Sequence, residues 1–376
     1  NRIESLGANI GVSAALDSAE VTLSALKEKL PDSLALYADV IRRPRFEDKE
    51  IDRVRAIWLA GIQQEKTNPG LMTQRVIAPL VFGAGHPYAI PFTGSGYAAD
   101  IASVRREDML AWHREQIRPD TATIMIVGDT TLAEITPLLE TSFGDWRAPA
   151  IPQPVNKMPV VALPGAARVF LIDQPGAIQS NITVSQPVPP ATDAHAVDFD
   201  IANGIIGGDF TSRLNMNLRE DKHWSYGVRS GAGSSLGQRL WSVSAPVQSD
   251  KTVEAVKELQ RELAEFASAK TPVTSEEVTR LQAISVRSLP GSYETARSVL
   301  TTIAGINRYG RPDDYVMQRK AKIEAMTPAS VQAAVTVQPG AMTWVIVGDL
   351  SKIEAGIRAL DIGPVQVIDA DGKRLR

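Results

Sequence analysis

The chain repeats one pattern, and that repeat limits the folds open to it. Residues 123–129 read Thr-Ile-Met-Ile-Val-Gly-Asp, and residues 343–349 read Thr-Trp-Val-Ile-Val-Gly-Asp. Each is a short apolar run closed by a turn signal, the pattern of a buried strand. Each leads through Gly-Asp into a helical pattern and follows another, over 105–117 and 328–336 respectively. A helix–strand–Gly-Asp–helix order that occurs twice predicts two related lobes. The 376 residues suit two domains on size alone. Between the copies lie Ala-Pro-Ala-Ile-Pro-Gln-Pro-Val (148–155) and Leu163-Pro164-Gly165. Proline at this density disfavours regular helix and reads as an extended linker. The expected division is therefore a lobe over 1–150, a linker over 151–166 and a lobe over 167–376.

Within the first lobe, residues 8–26 alternate through Ile10, Val12 and Ala14, then Val21, Leu23 and Ala25. A period of two predicts a hairpin, with Asp17-Ser18 at its turn. A helix carrying Leu34, Tyr37, Ala38 and Ile41 on one face should end before Pro44. A second, over about 47–66, should bury Ile51, Val54, Trp58 and Ile62. The second lobe is expected to hold strands near 168–173 and 179–185, helices near 193–220, a hairpin over 225–246 and further helices to about 335. Hairpins flanked by helix runs predict an α+β fold of two lobes, each a mainly antiparallel sheet packed with helices.

Composition removes several chemistries. There is no cysteine, which excludes disulfides, thiolate metal sites and a cysteine nucleophile. The four histidines (86, 113, 195 and 223) never fall within four residues of one another, so no helix turn offers a histidine pair to a metal. Each taken alone reads as a surface or packing residue, and His86-Pro87-Tyr88 after Gly83-Ala84-Gly85 reads as a loop. No H-x-x-E-H, H-E-x-x-H, Walker loop or G-x-S-x-G occurs. Gly231-Ala232-Gly233-Ser234-Ser235 lacks the lysine of a phosphate loop and reads as a hairpin tip. A net charge of −3 gives no footprint for nucleic acid. No run of about 18 apolar residues is long enough for a membrane span. The charged residues of 250–269 (Lys257, Glu258, Arg261, Glu262 and Glu265) read as a solvated helix face. The chain opens at Asn1 without a signal-peptide pattern, so its translated start is expected upstream.

The most informative stretch is 205–228, from Ile205-Ile206-Gly207-Gly208 to Ser225-Tyr226-Gly227-Val228. Two glycines should break a helix, a short amphipathic helix should run to about Arg219, and a strand should start at Tyr226. A cation at a helix end and a phenol seven residues on would then lie near each other. Each also has a plainer reading: Arg219 as a solvated cation at a helix C-terminus, Tyr226 as a half-buried strand aromatic.

Gly-Gly, Ser-Arg-Leu (212–214), Leu-Arg-Glu (218–220) and Ser-Tyr-Gly-Val (225–228) together resemble the second domain of pitrilysin-type zinc peptidases, the inverzincins. That family includes mitochondrial processing peptidase and insulin-degrading enzyme. The resemblance extends over nearly the whole chain through both Val-Gly-Asp units, the helix Phe46–Glu65, the His-Pro-Tyr loop and the Pro-rich linker. It implies that Arg219 and Tyr226 reach into the active site of a zinc-bearing domain, to bind substrate and stabilise an oxyanion. The zinc motif of the family, H-x-x-E-H, would precede the start of this chain, which leaves the first lobe without its first elements. The third zinc ligand of such relatives is a Glu six residues after the second Arg of a helix resembling Ile51-Asp52-Arg53-Val54-Arg55, and here that position is Gly61. Glu65 lies about 6 Å further along the helix. The resemblance therefore implies a subunit with no metal of its own, active only beside a homologous partner that carries H-x-x-E-H and zinc. Two alternatives stand: a non-catalytic assembly protein of the same fold, or a self-sufficient zinc peptidase missing its first helix. Exported two-chain relatives suggest the periplasm, with the cytoplasm as the alternative.

Overall fold

The computed structural model describes residues 2–376. The chain forms two compact units, each discontinuous in sequence. The first comprises Asn1–Leu59, Ala98–Asn156 and Gly291–Arg308; the second comprises Ala60–Tyr97, Lys157–Pro290 and Tyr309–Arg376. The Asn156/Lys157 junction falls inside the proline-dense stretch, and residues 60–97 belong with the C-terminal unit.

In the first unit the alternating stretch forms an antiparallel hairpin, β1 (Asn9–Ala14) and β2 (Ala19–Ser24), in register from Asn9↔Ser24 to Ala14↔Ala19. The Ala15 amide donates to the Ser18 carbonyl at 2.8 Å and closes the turn. Tyr37, on the helix Leu30–Arg42, donates its phenol to the Val21 carbonyl at 2.7 Å and ties that helix to the hairpin. Leu34 and Ala38 are buried as the periodicity requires. The helix Asp48–Glu65 forms too, but its anticipated apolar face does not hold: Val54 and Trp58 are each 45% exposed and only Ile62 is buried. Periodicity orders a helix; burial also needs a facing element.

The first Gly-Asp unit likewise departs from expectation. Residues 123–129 make no strand pairing, and Ile124 and Ile126 are 44% and 42% exposed. Its downstream half is as anticipated, with a helix Leu132–Phe143 capped by Thr131 and Glu134. The second copy becomes β7 (Thr343–Gly348), wholly buried. Asp349 then caps the helix Leu350–Ala359 by accepting from the Ser351 amide. A strand exists only through its neighbours. β7 has one on each side, whereas the β1–β2 hairpin pairs only with itself among the described residues.

The second unit is built on a six-stranded mixed sheet. Its strands are β3 (Arg168–Asp173), β4 (Gln179–Val188), β5 (Arg229–Ala232), β6 (Arg239–Gln248), β7 and β8 (Val365–Val367). The β5–β6, β6–β4 and β4–β7 pairs are antiparallel, and β3 runs parallel to β7 and β8. Alternate residues of the central strands enter different cores, as a pleat dictates. Val169, Leu171, Trp344 and Ile346 join the larger core with helices Ala196–Asn203 and Thr252–Ala267. Phe170, Ile172, Val345 and Val347 join the smaller one with Met72, Val76, Ile77 and Phe82 of the helix Pro69–Phe82. That double coverage explains why the middle of β3 and β7 read as continuous apolar runs.

A buried ion cluster fixes the ends of this unit. Arg75, with its side chain fully buried, binds Glu65 at 2.7 Å and Asp371 at 2.7 Å, and Lys66 also pairs with Asp371. Glu65 accepts in addition from the Ser95 hydroxyl at 2.7 Å. Burial alone would raise the Asp371 pKa, but hydrogen bonds from Lys66 and Arg75 outweigh it and hold the carboxyl below its ordinary 3.8. A depressed folded-state pKa stabilises above the unfolded value and ceases to do so as pH falls through the folded one. Urea midpoints should therefore fall as pH drops below 3.8, and Asp371→Asn should flatten that dependence.

Candidate functional site

The stretch 204–228 forms the site through a succession of tight approaches. Helix Ala196–Asn203 widens into a π-helical turn over Gly204–Gly208 that lies directly on β5. A Cβ at Gly207 would run into the Ser230 side chain, so a glycine is required there. The chain leaves extended at Asp209, whose carboxylate accepts from the Thr211 amide and from Arg280. A short helix Arg213–Asn215 then passes into a second π-helical turn, Met216–Asp221, which carries Arg219. Such turns are uncommon and recur at functional sites.

This turn ends in a left-handed cap. The Lys222, His223 and Trp224 amides donate to the Asn217, Arg219 and Leu218 carbonyls at 3.0, 3.2 and 2.9 Å, with His223 at φ 56°. The cap reverses the chain into Ser225, whose hydroxyl donates to the Pro246 carbonyl at 2.6 Å and accepts from the Gly227 amide. Tyr226 projects from this turn. The strand begins only at Arg229, so the anticipated strand position of Tyr226 is corrected to the preceding loop. The phenol is not half-buried, for Tyr226 is 87% exposed.

Two buried asparagines hold these pieces in register. Asn215, fully buried, donates to the Phe210 carbonyl at 2.7 Å and accepts from the Val228 amide at 2.9 Å. It thereby clamps the Phe210 loop to the segment bearing Tyr226. Asn217 donates to Glu258 and Glu262 at 2.8 Å each. The helix Thr252–Ala267 thus does not merely present a solvated charged face: Glu258 and Glu262 brace the Arg219 turn. Burial would raise the Glu258 pKa, but Arg261 and Asn217 outweigh that effect and hold it below 4.5.

Arg219 and Tyr226 line one cleft of about 380 Å³, together with Glu220, His223, Gln179 and Gln248. The Arg219 guanidinium lies over the Phe210 ring, 4.7 Å from its centroid, and its Nε faces Glu220 at 3.2 Å. One π-face and the Nε edge are thereby engaged, which leaves the two terminal nitrogens as a fork for a ligand oxygen. Phe210, Asn215, Asn217 and His223 are site residues that sequence reasoning missed. Their signal was an aromatic and two asparagines inside a segment that otherwise reads as amphipathic helix, where asparagine is a poor choice unless its side chain is used.

Gly61 stands where the resemblance implies a glutamate ligand. Gly61 offers no ligand atom, and nothing lies within 4 Å of the place its Cβ would occupy. Glu65 is committed to Arg75 and Ser95. His86 is buried between Phe82, stacked at 4.8 Å, and the Pro159 carbonyl at 3.1 Å, while His113 contacts the Ile41 carbonyl at 2.7 Å. Among the described residues no three His, Asp or Glu side chains converge on one point. Since space at Gly61 is open, Gly61→Ala should stabilise the exposed helix by about 0.5–1 kcal/mol, read from the urea midpoint.

Among the described residues no helix is long and apolar enough to cross a membrane. The chain matches two family models: Insulinase (Peptidase family M16) over residues 1–82 and Peptidase M16 inactive domain over residues 103–285. It is 22% identical to an uncharacterized zinc protease of Mycobacterium bovis over 54% of its own length, and spans 46% of that relative. An uncharacterized zinc protease of Streptomyces coelicolor is 22% identical over 82% of this chain and 66% of the relative. The human mitochondrial-processing peptidase subunit beta is 23% identical over 38% of this chain and 29% of its own length. The fold matches a crystal structure titled as a peptidase M16 inactive domain from Pseudomonas fluorescens, with a TM-score of 0.81 at 23% identity over 92% of this chain and 82% of that one. It also matches a protease from Helicobacter pylori, with a TM-score of 0.83 at 16% identity over 92% and 83% of the two chains. With two models of the same family matched over residues 1–82 and 103–285 of one chain, this protein belongs to the peptidase M16 (insulinase) family.

Proposed function

We propose that this chain is the zinc-free, substrate-binding subunit of a two-subunit peptidase, paired with a homologous subunit that carries H-x-x-E-H. One observation carries the reading: Tyr226, 87% exposed, shares a cleft with an Arg219 whose guanidinium is already oriented by Phe210 and Glu220. A tyrosine so exposed adds little to packing, so its hydroxyl is free for a ligand. The partner's metal and Glu would supply the activated water. On this chain, the Tyr226 hydroxyl donates to the scissile carbonyl oxygen as negative charge develops on it, and the Arg219 fork grips a neighbouring backbone carbonyl or carboxylate.

The reading is tested by mixing the chain with a zinc-bearing homologue encoded in the same genome and following cleavage of an unstructured peptide. Cleavage by the mixture and by neither chain alone supports it. Arg219→Ala should raise KM by about 10- to 100-fold, the effect of losing a charged hydrogen bond, with little change in Tm. A pull-down that returns only unrelated membrane proteins would favour the assembly-protein alternative. We propose the periplasm as the site of the complex, and cell fractionation tests that proposal against the cytoplasm.

A further inference from the structure

We propose that His223 is a third substrate-contacting group of the cleft, its Nε2 accepting a hydrogen bond from a peptide N–H. The inference rests on the peptide-binding reading of the site and adds the acceptor that such a site needs.

His223 stands at φ 56°, in the left-handed region that favours glycine. A residue with a side chain costs roughly 1–2 kcal/mol there, and glycine would close the same turn without that cost. The backbone cap does not require an imidazole, since the His223 amide already reaches the Arg219 carbonyl at 3.2 Å. The ring adds a second contact to the same oxygen: Nδ1 lies 3.0 Å from it. A carbonyl oxygen only accepts, so Nδ1 carries the proton, and in the neutral ring Nε2 holds a free lone pair. Nε2 has no hydrogen-bond partner among the described residues, and the exposed ring borders the cleft shared by Arg219 and Tyr226.

The chemistry of the rest of the cleft gives that lone pair a use. An extended peptide offers carbonyl acceptors and N–H donors in alternation. Arg219 and Tyr226 answer the carbonyls. Glu220 faces Arg219 Nε, and the Gln248 amide nitrogen donates to the His223 carbonyl at 3.2 Å. The turn that carries Arg219 therefore presents, four residues on, a fixed acceptor for the N–H groups of the same strand of substrate.

His223→Gly separates this role from capping, because it keeps the cap amide and relieves the left-handed strain. In the assembled peptidase it should leave Tm unchanged or raised, raise KM about tenfold with kcat within about twofold, and respond to added imidazole by partial restoration of KM. A wild-type KM in this variant would overturn the proposal. A second measurement does not depend on cleavage. Imidazole ¹⁵N spectra of this chain should show His223 as the Nδ1-protonated tautomer, with its Nε2 resonance moving when a short unstructured alanine-rich peptide is titrated to millimolar concentration. An unmoved Nε2 resonance would overturn the proposal even if the peptidase is active. If no homologous partner yields cleavage yet Nε2 shifts on titration, the peptidase reading fails and the His223 contact stands.

Discussion

Replacing Tyr226 with phenylalanine should lower the kcat of the assembled peptidase by about 10²- to 10³-fold, with KM changed by no more than a few fold. The size of the effect follows from where the hydroxyl acts. Its hydrogen bond strengthens as the carbonyl oxygen acquires charge, so the loss is felt in the transition state and little in the ground state. The substitution should leave the fold untouched, because the ring is 87% exposed and its loop is held by neighbours: Ser225 on Pro246 and Val228 on Asn215. An unchanged urea midpoint beside a collapsed kcat would separate chemistry from folding. Asn215→Ala makes the opposite kind of change. It releases the clamp between Phe210 and the Tyr226 segment and should lower both stability and activity.

The largest stability effect should come from Arg75→Leu, with a loss of about 3 kcal/mol in urea unfolding. Arg75 lies at the centre of a cluster that joins the end of the helix Asp48–Glu65, the helix Pro69–Phe82 and the C-terminal segment at Asp371. Its removal leaves Glu65, with a side chain only 16% exposed, without its cation. Breaking a buried pair from one side costs more than the pair contributes, because the remaining charge stays desolvated. Asp371 retains Lys66 and is about one-third exposed, which keeps the loss toward the low end. The double variant Arg75→Leu/Glu65→Leu should recover part of the loss, and a double-mutant cycle gives the coupling.

The elements set by local pattern were legible in the sequence. The period-two alternation around Asp17-Ser18 became β1–β2, and the strands expected at 168–173 and 179–185 became β3 and β4, buried on both faces over most of their length. What depended on distant neighbours was not legible. The two Val-Gly-Asp runs are almost the same in sequence, yet 343–348 is a central strand and 123–128 is unpaired, because only one has flanking strands. Val54 and Trp58 carry a helical period yet are each 45% exposed. At the site, the shared role of Arg219 and Tyr226 comes from the family resemblance, and their geometry comes from features with weak sequence signals. A left-handed histidine makes the turn where a glycine would be anticipated. Two π-helical turns set the direction of Arg219, and Asn215 and Asn217 spend their side chains on main chain and carboxylates rather than on water.

The central claim is a division of labour, with metal chemistry on the partner and substrate contacts on Arg219 and Tyr226 here. Its most direct test is peptide cleavage by this chain alone, by the zinc-bearing homologue alone and by an equimolar mixture, together with the zinc content of each purified chain. The account predicts stoichiometric zinc on the homologue only, cleavage by the mixture only, and loss of that cleavage when this chain carries Tyr226→Phe. Stoichiometric zinc and cleavage by this chain alone, or a mixture that is indifferent to Tyr226→Phe, would contradict it.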